Sequence, residues 1–193
     1  VPDVLLLRHG ESEWNRLNRY QGIADPPLTP LGEEQSRLAA EALLAIDQIA
    51  SSDLQRAQRT ADLLAEALGI EPVVVEPGLR ERDTGEWTGL TRQQIEREWP
   101  NGTADPPPGW EDDASVLARV EPALLRIAAR GRTVAVTHAG VIRAVERRLG
   151  QPWAPLANLA GRWVHVDGDR LRAGERVVLI DADDERLTVP LET

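Results

Sequence analysis

Two of the three histidines in this 193-residue sequence follow directly on apolar runs. His9 comes after Val4-Leu5-Leu6-Leu7-Arg8, and His138 after Thr133-Val134-Ala135-Val136-Thr137. With Arg8, Arg56 and Glu81 they make a set that could transfer a phosphoryl group without a metal. That chemistry needs cationic donors for the equatorial oxygens, an in-line nucleophile and an acid for the leaving oxygen. Arg8 and Arg56 can supply planar, multi-donor contacts to phosphate oxygens. The neutral imidazole of His9 can attack, and His138 can donate to a phosphoryl oxygen in the transition state. Glu81 can protonate the leaving group and then activate the water that hydrolyses a phosphohistidine. Alone, each residue has a plainer reading: a structural histidine, an ion-pairing surface arginine, a solvated carboxylate between Arg80 and Arg82. Their joint occurrence gives the set its weight.

These residues converge only if the chain brings several loops to one edge of a sheet. Val4 to Leu7 reads as a buried parallel strand. Thr29 as N-cap and Pro30 at the first helical position begin a helix whose apolar spacing runs from Leu31 to Leu44. Asp47 to Ala50 reads as a second strand ending at Ser51-Ser52-Asp53. Leu54 to Leu68 is a helix closed by Gly69, and Glu71 to Val75 is a third strand. A loop-like stretch to Leu90 carries Glu81, and Thr91 to Glu98 is a short helix. Asp105 to Asp113 is a Pro-rich, acidic surface loop, and Ala114 to Ala129 is helical despite Pro122. Thr133 to Thr137 is a fourth strand, and the helix after His138 runs to Leu149. The tail predicts two or three strands, Trp163 to Val166, Arg170 to Arg172 and Arg176 to Asp181, with a hairpin turn at Gly168-Asp169. This alternation predicts an α/β fold: a three-layer α/β/α, doubly wound, mostly parallel sheet in a single domain over residues 1–193. Ligands bind such sheets beyond the carboxyl ends of the strands. The loops with Arg8-His9, Arg56, Glu81 and His138 all lie there.

Composition narrows the chemistry. There is no cysteine, so disulfides and thiolate chemistry are excluded. All 22 basic residues are arginine, which removes lysine Schiff-base and P-loop chemistry. Genomic base composition accounts for that bias. The formal net charge of −10 argues against nucleic acid or an anionic membrane as partner, but not against a small anionic substrate in a locally cationic pocket. No apolar run is long enough to span a bilayer. Val1-Pro2-Asp3 leads straight into a strand without the regions of a signal peptide, so the cytoplasm is the default expectation.

Leu7-Arg8-His9-Gly10-Glu11-Ser12-Glu13-Trp14-Asn15 resembles the signature of the histidine phosphatase superfamily, the phosphoglycerate mutase-like proteins. Four later segments continue the likeness: Gln21-Gly22 with Pro27-Leu28-Thr29-Pro30-Leu31-Gly32; Ser51-Ser52-Asp53-Leu54-Gln55-Arg56-Ala57 with Thr60; Leu79-Arg80-Glu81 with Gly85-Glu86-Trp87-Thr88-Gly89-Leu90; and Thr137-His138-Ala139-Gly140-Val141-Ile142-Arg143. The likeness spans roughly Val4 to Leu149. It implies that His9 is phosphorylated, that Arg8, Arg56 and His138 complete the phosphate pocket, and that Glu81 is the proton donor. It also implies substrate-side contacts from Asn15, Gln21, Gly22 and Ala139. It implies no metal and no cofactor, with a small phosphorylated metabolite as partner.

The sequence departs from the family pattern in two places. Gly109-Trp110-Glu111-Asp112 stands where the family has Gly-Glu-Ser, with Glu111 in the acidic place and Asp112 in place of the hydroxyl. The paired arginines of the cofactor-dependent mutases are absent, although Arg92 could match the cation after the acid-bearing segment. The corresponding stretch, Pro100 to Asp113, is short, Pro-rich and acidic. A mutase must shield its phosphohistidine from water and hold a second phosphate, so these departures favour a phosphatase over a phosphoglycerate mutase. An inactive phospho-ligand-binding protein is a further alternative. A metal hydrolase lacks paired histidine spacing, and a Ser12 hydrolase lacks a Gly-x-Ser-x-Gly elbow.

Of the six tryptophans, five read as packing residues, while Trp110 is expected at the substrate entrance, favouring a sugar or phosphoglycerate-type ester. His165, between Val164 and Val166, reads as structural or exposed. Arg143 reads as an ion-pairing residue or a pocket brace. The exposed face of the tail strands offers an edge for a homodimer without compelling one.

Overall fold

The computed structural model describes residues 3–180. The first apolar run forms β1 (Asp3–Arg8), in which Val4 to Leu7 are wholly buried. Next to it lies β4 (Thr133–Thr137), buried along its whole length. Strands hidden on both faces need continuous apolar or small residues, and both runs supply them. Beyond β4 come β2 (Gln48–Ser51) and then β3 (Val74–Val75), all parallel. On the other side, β5 (Ala160–Asp167) pairs antiparallel with β1 and β6 (Arg170–Val178) antiparallel with β5. The six-stranded sheet therefore runs β3-β2-β4-β1-β5-β6 and is mostly parallel.

Strand alternation sorts the core into two layers. Leu5, Leu7, Ile49, Val134 and Val136 face α2 (Pro30–Ala39) and α3 (Gln55–Leu68), packing on Ala39, Ala57, Ala61 and Leu64. Val4, Leu6, Ala50 and Ala135 face the other way, toward α5 (Asp113–Ala128) and α6 (Ala139–Arg148), packing on Val120, Leu124, Val141 and Val145. Helices on both faces complete the expected three layers. Neighbouring strands β1 and β4 send their following helices to opposite faces, and that divergence opens a crevice at their carboxyl ends. Two short helices border it, α1 (Glu13–Arg16) and α4 (Arg92–Glu98).

Caps follow the sequence. The Thr29 side chain accepts from the Gly32 N–H with Pro30 at the first position, and Gly69 closes α3 at φ 65°. α5 accommodates Pro122 without a break.

Boundaries differ from expectation in several places. The helix over Leu31 to Leu44 ends at Ala39, followed by a 3₁₀ turn over Ala40–Ala42. The third strand shrinks to Val74–Val75, paired with Ala50 and Ser51 of β2, and Pro72 before it has no N–H to donate to the ladder. Ser12 to Asn15, expected as loop, closes a capping box at the start of α1. The tail forms one hairpin: β6 is continuous through Gly174, where a Cβ would lie 2.7 Å from His165 Nε2. A tight approach, not a strand break, explains that glycine. Asp181, the expected end of a last strand, lies outside the described residues. No helix among them is long and apolar enough to cross a membrane.

Candidate active site

A cleft of about 920 Å³ opens at the carboxyl ends of β1 and β4. His9 lies on its floor, 2% exposed, its N–H bonded to Thr137 O at 3.1 Å. Its Nδ1 is 2.7 Å from Gly10 O. A carbonyl can only accept, so Nδ1 carries the proton and Nε2 keeps the lone pair. Burial, reinforced by Arg56 and Arg8, pushes the His9 pKa well below its ordinary value. The ring is therefore neutral at physiological pH, as a nucleophile must be.

Two guanidiniums flank it, that of Arg56 buried and that of Arg8 partly buried. Arg8 Nη1 donates to Leu156 O at 2.7 Å. Arg56 donates to Ala24 O at 2.6 Å and Gly22 O at 2.9 Å. The Nε of each is buried without a partner. A buried donor in that state is costly unless something else satisfies it. Burial lowers both pKa values to about 10, so both stay charged at neutral pH.

His138 is wholly buried behind His9, with ring centroids 5.2 Å apart, and does not itself line the cleft. Its Nε2 is 2.7 Å from Ser52 Oγ, which accepts from the Leu54 N–H at 3.4 Å. With Ser52 donating to Nε2, the imidazole proton sits on Nδ1, a buried atom with no partner. Burial, then Arg56, lowers the His138 pKa well below its usual value, so the ring is neutral at physiological pH.

Glu81 reaches the cleft from the loop after β3. Its Oε1 accepts from the Arg82 N–H at 2.8 Å and its Oε2 from the Gly140 N–H, in the first turn of α6, at 3.1 Å. A Cβ at position 140 would lie 2.3 Å from Glu81 Oε1. The glycine after His138-Ala139 thus makes room for the carboxylate. Asn15, Gln21, Gly22 and Ala139 all line the cleft. Ser12 ties the first two together, accepting from the Asn15 N–H and donating to Gln21 Oε1 at 2.8 Å.

A family model described as the histidine phosphatase superfamily (branch 1) matches residues 4–169. The chain belongs to the histidine phosphatase superfamily. It is an enzyme of that superfamily. Among curated relatives, a 2,3-bisphosphoglycerate-dependent phosphoglycerate mutase of Methylobacterium sp. (strain 4-46) is 35% identical over 161 residues, covering 74% of this chain and 77% of that protein. Phosphoglycerate mutase-like protein 4 of Arabidopsis thaliana is 32% identical over 187 residues, 87% and 81% of the two chains. A solved mycobacterial glucosyl-3-phosphoglycerate phosphatase in complex with VO3 matches with a TM-score of 0.80 at 30% identity, covering 90% of this chain and 97% of that one.

Other contacts of this histidine phosphatase superfamily member carried no local signal. Asn158 Nδ2 donates to His9 O at 2.8 Å and to Asn15 Oδ1 at 3.2 Å, from 149 residues away along the chain. Thr60 Oγ1 accepts from the Gly10 N–H at 3.1 Å. Glu111, in the acidic place of the family pattern, is absent from the cleft lining and pairs with Arg119 through bonds of 2.8 and 2.9 Å. Arg119 also donates to the carbonyls of Gly78, Arg80 and Glu81, which clamps the acid-bearing loop. Asp112, in the hydroxyl's place, caps α5 through the Ser115 N–H. Asp113 bridges Arg82 and Arg147 at the rim, and its hydrogen bonds to Arg147 and then Arg82 hold its pKa at about 2.

Trp110 does line the cleft, edge-on to Trp87 with the Arg82 guanidinium 4.9 Å from its ring. Trp153 is no packing residue, being 71% exposed. His165 pairs with Asp3 across β1 and β5 at 2.7 Å, between buried Val164 and Val166. Arg143 has no carboxylate partner among the described residues, contrary to the ion-pair reading; it lines the cleft, 5.9 Å from the Trp153 ring. Among the described residues no group of three or more His, Asp or Glu could hold a metal ion.

Proposed function

We propose that this enzyme hydrolyses a small phosphate monoester, of sugar phosphate or phosphoglycerate type, through a phosphohistidine on His9, with Glu81 as acid and then base. The observation that carries this reading is the committed tautomer of His9: Nδ1–H on Gly10 O, with a basic Nε2 beside two arginines. Arg8 and Arg56 take the equatorial oxygens through donors that lack partners within the protein. Nε2 bonds to phosphorus as the bond to the ester oxygen breaks, and Glu81 gives its proton to that oxygen. His138 stabilises the charge on the transferring group. Glu81, now a carboxylate, then takes a proton from water as the water oxygen bonds to phosphorus. The N–P bond breaks, returning neutral His9 and inorganic phosphate.

The names of the curated relatives favour a mutase. Against it, the Pro100 to Asp113 stretch brings Thr103, Pro106, Trp110, Asp112 and Asp113 to the cleft and no arginine. Trp110 at the rim supports an ester with a carbon skeleton beyond the phosphate. The cytoplasm as place of action and a homodimer belong to the same reading.

Intact-mass and turnover measurements without metal test it, comparing wild type with His9→Ala on phosphoglycerates, sugar phosphates and an aryl phosphate. Phosphate release by wild type alone, with a transient phosphoryl adduct on His9, is expected. Transfer between phosphoglycerates, primed by a bisphosphate and far exceeding release, would make the enzyme a mutase. Binding without either reaction would make it a ligand-binding protein.

A further inference from the structure

We propose that Arg143 is a specificity-determining residue, taking a carboxylate or similar second anionic group on the substrate beside the ester phosphate. The inference rests on the phosphatase reading and extends it from the phosphate to the rest of the molecule.

The cleft holds more arginine than one phosphate needs. Arg82 and Arg147 share Asp113, Arg92 faces Glu96 across 4.0 Å, and the exposed Arg19 donates to Gly89 O. Arg8 and Arg56 suffice for a phosphate dianion. Arg143 is left over: a half-buried cation with no acidic partner among the described residues and with its Nε buried and unbonded. Arg8, Arg56 and His138 also carry buried, unbonded nitrogens. Placement agrees. Arg143 follows Ala139 by four residues on α6, which sets both on one face of that helix, toward the cleft. It is close enough to Arg8 for their like charges to lower the Arg8 pKa. An unpaired guanidinium beside another cation is unfavourable until an anion arrives, and a planar carboxylate matches its fork.

The test uses a matched pair of esters, 3-phosphoglycerate and glycerol 3-phosphate, which differ in the carboxylate. Turnover of both is compared for wild type, Arg143→Gln and Arg143→Lys, and Kd values are measured with and without Arg143→Gln in a His9→Asn background. Wild type should prefer the carboxylate ester. Arg143→Gln should reduce that preference by about tenfold, chiefly through KM and Kd, and Arg143→Lys should restore part of it. Equal losses on both esters would overturn the proposal while leaving the phosphatase reading intact. Absence of turnover with a preference in Kd that Arg143→Gln removes would sink the phosphatase reading and keep the subsite. No preference in either measurement would overturn the subsite.

Discussion

At His9, the Nδ1–H bond to Gly10 O leaves Nε2 as the only basic atom of the ring, and Ser52 can impose a matching order on His138. Removing the Ser52 hydroxyl should let the His138 proton move to Nε2 and deprive the phosphoryl group of a donor. We expect Ser52→Ala to slow phosphorylation of His9 in single-turnover experiments by about tenfold or more, with KM little changed, since oxyanion donors act mainly in the transition state. An unchanged phosphorylation rate would show that His138 needs no help from Ser52. Glu81 gives a second residue-scale prediction. An aryl phosphate has a good leaving group and needs no acid, whereas dephosphorylation still needs the base. Glu81→Gln should therefore show a burst of aryl alcohol and accumulate phosphohistidine, while alkyl esters should lose turnover altogether. A steady-state loss without a burst would remove Glu81 from the second step.

Elements enter through the loop that carries Glu81. Arg119 on α5 donates to three carbonyls of residues 78–81 and pairs with Glu111, whose carboxylate also accepts from the Asp83 N–H. Glu81 is thus positioned by a side chain outside the cleft lining. Arg119→Ala should lower kcat by about tenfold or more, because small misplacements of a catalytic group are costly, and should change KM less. Retention of full kcat would mean that the bonds from Arg82 and Gly140 to the Glu81 carboxylate suffice. Helix α6 performs the other placement: His138 precedes it, Gly140 donates to Glu81, and Arg143 lies one turn on.

For the whole molecule, the two buried neutral histidines cost stability in acid. Both have folded pKa values below the ordinary histidine value, so below about pH 6.5 the unfolded chain binds protons that the folded chain refuses. Their contribution is complete above about pH 6.5 and is lost as pH falls toward the folded pKa values. Together the slope approaches about 2.7 kcal/mol per pH unit, a large share of a typical stability of about 5–15 kcal/mol. Asp113, held at about 2, adds its loss only at lower pH. Urea unfolding at pH 7.5, 6.5 and 5.5 should show this fall, and His138→Asn should halve its slope. A flat profile across that range would contradict burial of neutral rings.

What was legible from residue order is what local physics dictates. Continuous apolar runs can only be buried strands, Thr29-Pro30 and Gly69 can only mark helix ends, and a ligand crevice must lie where the strand loops gather. Those rules gather Arg8, His9, Arg56, Glu81 and His138 at one end of the sheet, and β4 has the predicted bounds, Thr133–Thr137. Tertiary structure alone decided the rest, because it depends on partners distant in sequence. β3 pairs with β2 through Val74 and Val75, short of the predicted Glu71 to Val75. Glu111 became a clamp because Arg119 lay across from it, and Asp113 pairs with Arg82 and Arg147, while Arg143 meets no carboxylate among the described residues. Asn158 came to hold His9 from the far end of the chain. A charge or an amide has no role until the fold chooses its neighbours, whereas an apolar run has little choice but to be buried.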